Sequence, residues 1–234
     1  MDFKYQRILL KLSGEAMGGK DGKTIDFDAV EHTASQLINL QKLGVQVGVV
    51  LGGGNIWRGR SSGSMDRNRA DHMGMLATVI NSLAVQDAVE ALGGTCTVMC
   101  SVEMQRFCET YSAREANARL RAGEIVIFAG GSGCPFFSTD TAAALRAAEI
   151  GADALLLAKN VDAVYSKDPV KYPDAERFSH LSYEEVIVRD LKATDMTAIT
   201  LCREQHIPIL VFAMKQPENI LNAVCGKEVG TLID

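Results

Sequence analysis

The chain has 234 residues, of which 47% are hydrophobic, 23% charged and 6% aromatic, with 21 glycines, 5 prolines and a formal net charge of -5. That length buries a sizeable core, and the composition excludes disordered, collagen-like and low-complexity classes. The negative total argues against a generally basic nucleic-acid binder and favours small-molecule partners.

Arg7 to Leu12 is the first expected strand. Between it and a second, Val45 to Leu51, the residues Val30, Ala34, Leu37 and Ile38 recur on one face. They predict a helix opened by Asp26 or Asp28 and closed by Gly44. A second helix is expected from about Asp71 to Leu92, closed by Gly93-Gly94. Strands then follow at Thr95 to Cys100 and Glu124 to Phe128, and Asp140 begins a helix running through Ala142-Ala143-Ala144-Leu145. The remaining strands are Ala152 to Ala158, Ile207 to Phe212 and Val229 to Ile233. Runs as apolar as Val47-Gly48-Val49-Val50-Leu51 and Ala154-Leu155-Leu156-Leu157 fit strands buried on both faces. The expected fold class is therefore α/β, a three-layer α/β/α sandwich around a mainly parallel sheet. The irregular stretch Asp162 to Pro173 marks a soft boundary between two lobes of a single domain.

The six cysteines, at 96, 100, 108, 134, 202 and 225, form no C-x-x-C pair and no zinc spacing, and are read as reduced thiols. Cys96 and Cys100 sit in an apolar stretch as small buried hydrophobes. The residues Met1 to Arg7 carry no signal-peptide pattern, and no apolar run approaches the roughly 18 residues of a membrane span. A cytoplasmic protein with no membrane and no nucleic-acid partner is expected.

Three strands end directly in glycine: Leu12-Ser13-Gly14, Leu51-Gly52-Gly53-Gly54 and Phe128-Ala129-Gly130-Gly131-Ser132-Gly133. In an open α/β sheet the ligand lies at the carboxyl ends of the strands, where glycine lets backbone N–H groups approach an anion. Several such loops at one edge point to a phosphate-rich ligand. Gly52-Gly53-Gly54-Asn55-Ile56-Trp57 fails the dinucleotide fingerprint at Trp57, and Gly14 to Lys20 fails as a P-loop because Asp21 replaces the magnesium-binding hydroxyl. Beside the loops stand Lys11, Arg58 and Asp140. Each also reads as an ordinary surface charge or, for Asp140, as a residue favoured at a helix N-terminus.

The segments Lys11-Leu12-Ser13-Gly14-Glu15-Ala16, Gly52-Gly53-Gly54-Asn55-Ile56-Trp57-Arg58-Gly59, Asp71-His72-Met73-Gly74-Met75-Leu76-Ala77-Thr78, Pro135-Phe136-Phe137-Ser138-Thr139-Asp140, Val161-Asp162-Ala163-Val164-Tyr165 and Asp168-Pro169 carry a resemblance. In order and nearly end to end, to Gly230-Thr231-Leu232-Ile233, the chain resembles the bacterial uridylate (UMP) kinases of the amino-acid kinase family. The resemblance implies transfer of the γ-phosphoryl of ATP to UMP, giving UDP and ADP. Lys11 would neutralise the transferring phosphoryl, with Asp140 and Asp195 orienting it and helping to organise Mg²⁺ that sits mainly on ATP; no direct protein ligand to the metal is implied. ATP would lie along Lys11, Leu12, Ser13, Gly14, Gly54, Arg58, Lys159, Asn160, Tyr165 and Asp168. UMP would lie along Gly53, Arg58, Asp71 and the loop Ser132, Gly133, Cys134, Pro135, Phe136, Phe137, Ser138 and Thr139. Arginine suits the acceptor phosphate because its planar fork binds two oxygens, and the acceptor-only Asp71 suits ribose hydroxyls.

Residues 1–158 would form the acceptor side and 159–234 the donor side. Leu157-Ala158-Lys159-Asn160 departs from the Lys-Ala-Thr-Lys of many relatives, so Lys159 stands either as a displaced cation or as a contact to the adenine loop. A homohexamer, a GTP activator and a UTP inhibitor are also implied. Gln86, Glu90 and Thr97 fall where some relatives are basic, so altered GTP control, or control through Arg106, Arg114 or Arg119, is expected. The alternatives are an amino-acid or carbamate kinase of the same fold, or a non-catalytic nucleotide-binding protein.

Overall fold

The computed structural model describes residues 3–19, 22–59, 63–214 and 218–234. Lys20 and Asp21, which bear on the P-loop comparison, lie outside the described residues, as do Met1 and Asp2. In chain order the elements are β1 (Arg7–Leu12), α1 (Phe27–Lys42), β2 (Gln46–Leu51), α2 (Arg67–Ala91), β3 (Cys96–Cys100), β4 (Glu109–Thr110), α3 (Ala113–Arg121), β5 (Ile125–Ala129) and α4 (Thr139–Ile150). They continue with β6 (Ala154–Lys159), β7 (Val164–Tyr165), β8 (Arg177–Phe178), β9 (His180–Leu181), α5 (Tyr183–Val188), α6 (Met196–Glu204), β10 (Ile209–Ala213), α7 (Asn219–Val224) and β11 (Thr231–Ile233).

Nine strands form one sheet in the order β4-β3-β5-β2-β1-β6-β10-β11-β9, and β7 and β8 form a separate hairpin-like pair. Every neighbour pair in the large sheet is parallel except β10 with β11. The alternation of side chains along β1 divides the core. Ile8, Leu10 and Leu12 pack with Val30, Leu37, Val85 and Ile220 of α1, α2 and α7. Leu9 packs with Ala144, Ala147, Val186 and Ile199 of α4, α5 and α6 on the other face. The result is the expected three-layer sandwich, and β6, running through residues 158 and 159, ties the two halves into one sheet.

Helix ends follow local chemistry. Asp26 caps α1 by accepting from Asp28 N, and Gly44 at φ +85 lets the chain turn away. Helix α2 starts four residues before the expected Asp71, because the Asp66 carboxylate accepts from Arg69 N and supplies the cap there. Strand β1 has the expected bounds, and the other expected strands differ by one or two residues at an end, as ladder ends do.

The strand order sets β5, β2 and β1 side by side, so their three glycine loops meet at one edge. The loops also need glycine to fit. A Cβ on Gly14 would stand 2.6 Å from Gly52 O and from Asn55 Oδ1, and one on Gly53 would stand 2.7 Å from Ala77 Cβ and 2.9 Å from Gly74 O of α2. Gly54, by contrast, has nothing within 4 Å of that position. Gly53→Ala is therefore expected to lower stability by about 1–3 kcal/mol through overpacking, measured as a reduced urea midpoint. Gly54→Ala is expected to leave the midpoint nearly unchanged.

Candidate active site

Because alternate β1 side chains face the α4 layer, Lys11 projects on the same side as Leu9, at the carboxyl end of the strand. Helix α4 begins there with Ser138 as its cap, whose hydroxyl accepts from Asp140 N and Thr141 N. Asp140, in the first turn, thus faces Lys11. The Lys11 ammonium lies 2.6 Å from Asp140 Oδ1, and Lys11 is 8% exposed. Strand β6 pairs with β1 so that Lys11 is opposite Leu157. Two residues further along β6, the Lys159 ammonium lies 3.1 Å from Asp140 Oδ2 and donates to Ala193 O at 2.7 Å. Thr194 Oγ1 also donates to Asp140 Oδ2, at 2.7 Å.

Burial alone would raise the Asp140 carboxyl, but Lys11 and Lys159 outweigh it and hold the group well below the usual carboxylate range. Asp140 is therefore ionised at any working pH and is unsuited to general-base chemistry. It serves as a fixed counter-ion to two ammonium groups. This trio carries one net positive charge, in a molecule whose total is negative.

Asp195 caps α6 by accepting from Ala198 N at 2.8 Å. The same carboxylate accepts from Thr141 Oγ1 at 2.8 Å and from Ser138 Oγ, so it braces the start of α4 from across the site. The capping and functional readings of Asp195 thus describe one geometry, and its carboxylate acts on α4 rather than on Lys11.

Two cavities share a lining residue here. One, of about 160 Å³, is lined by Gly53, Gly54, Trp57, Asp71, Thr78 and the loop residues Ser132, Cys134, Phe137 and Thr139. The other, of about 600 Å³, is lined by Lys11, Ser138, Thr139, Asp140, Lys159 and Asp195, together with Lys192, Thr194 and Met196. Thr139 lines both. Asp71 Oδ2 accepts from Arg67 Nε and from Phe136 N, both at 2.8 Å, fastening α2 to a loop in which Phe136 adopts φ +72.

Several expected residues stand outside these cavities. Leu12 is core, and Ser13 Oγ caps the short turn that Gly14 begins. Arg58 pairs with Glu15, whose other oxygen accepts from Asn160 Nδ2 at 2.6 Å. Gly133 and Pro135 belong to the loop without lining either cavity. Tyr165 donates to Asp162, and Asp168 pairs with Lys171 on the segment after β6. Thr194, Thr78, Trp57 and Lys192 line the cavities without having been expected as site residues, although Trp57 and Thr78 lie in two of the segments that carry the resemblance and Lys192 and Thr194 stand close before Asp195. Among the described residues, no three His, Cys, Asp or Glu side chains are grouped to hold a metal ion.

The model of the amino acid kinase family matches residues 6–213. The chain belongs to that family. Among solved structures, UMP kinase from Bacillus anthracis matches with 36% identity and a TM-score of 0.95, over 98% of this chain and 96% of that one. UMP kinase from Ureaplasma parvum matches with 37% identity and a TM-score of 0.93, over 99% of both chains. Uridylate kinase from Archaeoglobus fulgidus matches with 26% identity and a TM-score of 0.73, over 97% of this chain and 99% of that one.

Thiol chemistry checks the site's exposure. Burial pushes the Cys96 and Cys202 thiols up to about 12, whereas Cys134 is exposed at the smaller cavity. Brief iodoacetamide treatment at pH 8 is expected to label Cys134 first and to spare Cys96 and Cys202 until unfolding. Peptide mass mapping reads this; Cys202 labelled before Cys134 would contradict the geometry.

Proposed function

We propose that the protein is a UMP kinase, transferring the γ-phosphoryl of ATP to the phosphate of UMP. The observation that carries this reading is that Thr139 lines both an Asp71-lined cavity and one lined by Lys11, Asp140 and Lys159. The smaller cavity takes UMP, with Asp71 for the ribose hydroxyls and the loop Ser132 to Thr139 around the acceptor. The larger takes the phosphates of MgATP, with the donor nucleotide extending toward Asn160, Tyr165 and Asp168. In this division residues 1–158 supply the acceptor side and residues 159–234 the donor side, apart from Lys11 and the start of α4.

In the reaction an oxygen of the UMP phosphate attacks the γ-phosphorus as its bond to ADP breaks. The acceptor is already ionised near pH 7, so no side chain has to remove a proton. What the chemistry requires is alignment and positive charge on the migrating group. Lys11 supplies that charge, Asp140 holds its ammonium and that of Lys159 in place, and Asp195 fixes α4 through Ser138 and Thr141. Mg²⁺ bound to ATP would screen its phosphates, with no residue of this chain assigned as a direct ligand. This agrees with a site whose one central carboxylate is committed to two lysines and Thr194.

Regulation and assembly belong to the same reading. Gln86 donates to Glu90, and Thr97 donates to Glu124, where Arg119 also pairs with Glu109 and Glu115. So acidic a surface supports altered GTP control, with Arg106 or Arg114 as the remaining cations; UTP is the proposed inhibitor. Met73, Leu76 and Ile80 leave an apolar stripe exposed on α2, in keeping with a homo-oligomer, by resemblance a hexamer. No described helix is long and apolar enough to cross a membrane, and a cytoplasmic location completes the proposal.

Coupled ADP release with MgATP and a panel of UMP, CMP, aspartate, N-acetylglutamate and carbamate tests the assignment. Turnover with UMP is expected; turnover with another acceptor and none with UMP would assign a different kinase, and none with any would favour a binding protein. Asp71→Asn is expected to raise KM for UMP at least tenfold and KM for ATP less than twofold. Equal increases would remove Asp71 as the ribose contact.

A further inference from the structure

Arg146 lies on α4, two turns beyond the reacting end, and is 3% exposed. A guanidinium taken out of water requires partners. Its Nη1 donates to Glu149, its plane covers the Tyr111 ring at 3.7 Å, and its Nη2 lies 2.9 Å from Ser101 Oγ. Ser101 follows β3, and its Oγ lies 2.7 Å from Gly131 O and 3.3 Å from Ala129 O. Arginine can only donate, so Ser101 Oγ accepts from Arg146 and its single hydrogen goes to a carbonyl, the nearer being that of Gly131.

That direction matters because Gly130, Gly131 and Gly133 all adopt positive φ and have no strand ladder to hold them. The loop is tied by Gly130 N to Thr78 Oγ1 at 2.9 Å, by Gly133 N to Gly130 O at 3.0 Å, and by Ser101. In the trans peptide joining Gly131 to Ser132, the C=O and N–H point in opposite directions. Ser101 is outside the smaller cavity, which Gly131 and Ser132 line. A Gly131 carbonyl held toward Ser101 therefore turns the Ser132 N–H away from Ser101, on a residue that lines the cavity.

We propose that Ser101 and Arg146 are positioning residues for acceptor binding: Arg146 orients the Ser101 hydroxyl, which pins the Gly131 carbonyl and aims the Ser132 N–H at an oxygen of the bound acceptor. This rests on the smaller cavity being the UMP site.

Ser101→Ala removes one hydroxyl and leaves the core intact. Its KM for UMP is expected to rise about five- to tenfold, the net worth of a hydrogen bond. Its KM for MgATP changes less than twofold, kcat at saturating UMP stays within about threefold, and the thermal midpoint barely moves. Arg146→Met alone raises KM for UMP by a similar factor, but in the Ser101→Ala background adds less than twofold, because both act through one hydroxyl. An unchanged KM for UMP in Ser101→Ala, equal increases for both substrates, or additive effects of the two substitutions would overturn the relay. If Arg146→Met does not fold, the Ser101→Ala result decides alone. Asp71→Asn lines the same cavity outside the relay. If it raises KM for UMP while Ser101→Ala does not, the relay alone fails; if it raises KM for ATP instead, the reading of the cavity fails and the relay with it.

Discussion

The contact between Lys11 and Asp140 joins the central strand to the first turn of the helix that covers it, and the site is organised about that contact. A buried ammonium costs too much unless paired, and a buried carboxylate likewise. Here each justifies the other, and Lys159 and Thr194 complete the set. Around this set the larger cavity is lined by three lysines and three aspartates in all, with Asp140 taken up by Lys11 and Lys159 and Asp195 by the start of α4. In an acidic protein, the phosphates of the proposed substrates would be met by such a local gathering of ammonium groups rather than by the total charge.

The fold delivers that concentration through strand order. With β5, β2, β1 and β6 as successive neighbours, three glycine loops and two lysines reach one sheet edge without any long excursion of the chain. Glycine serves two ends there. Gly14 and Gly53 let backbone and helix approach more closely than a Cβ permits, while Gly54 leaves space open beside the cavity. Helix α4 contributes at both ends, presenting Asp140 at its start and burying Arg146 further along. One helix thus touches both the charge cluster and, through Ser101, the loop at Gly131.

The layered fold was largely legible because the central strands are continuous apolar runs that only a doubly covered sheet accommodates. What escaped has physical reasons. Two-residue strands such as β4, β7, β8 and β9 carry no periodicity, and the short helices α5 and α7 bury too few residues to show a face. The start of α2 lies earlier than expected because its first turn is fixed by a single side-chain hydrogen bond, from Arg69 N to Asp66. In the site, Lys11 and Asp140 stood out beside glycine loops. The position of Lys159 depends on the register of β6 against β1, which no local pattern encodes. Arg58 lies in a distinctive segment, but its ion pair with Glu15 is seen only once the chain is packed. Ser101 and Arg146 belong to no motif, and their link to Gly131 is visible only once β3, β5 and α4 are packed together.

The proposed role of the Lys11 ammonium, held by Asp140, is to stabilise the phosphoryl group in flight. Its most direct test is single-turnover transfer of labelled γ-phosphate from ATP to UMP by Lys11→Ala, with ATP affinity measured on the same preparation. Removing one preorganised charge of this kind commonly costs about 100- to 1000-fold in rate. A loss at least that large is expected in the transfer step, in a protein that still folds and still binds MgATP. A transfer rate near that of the unaltered protein would contradict it.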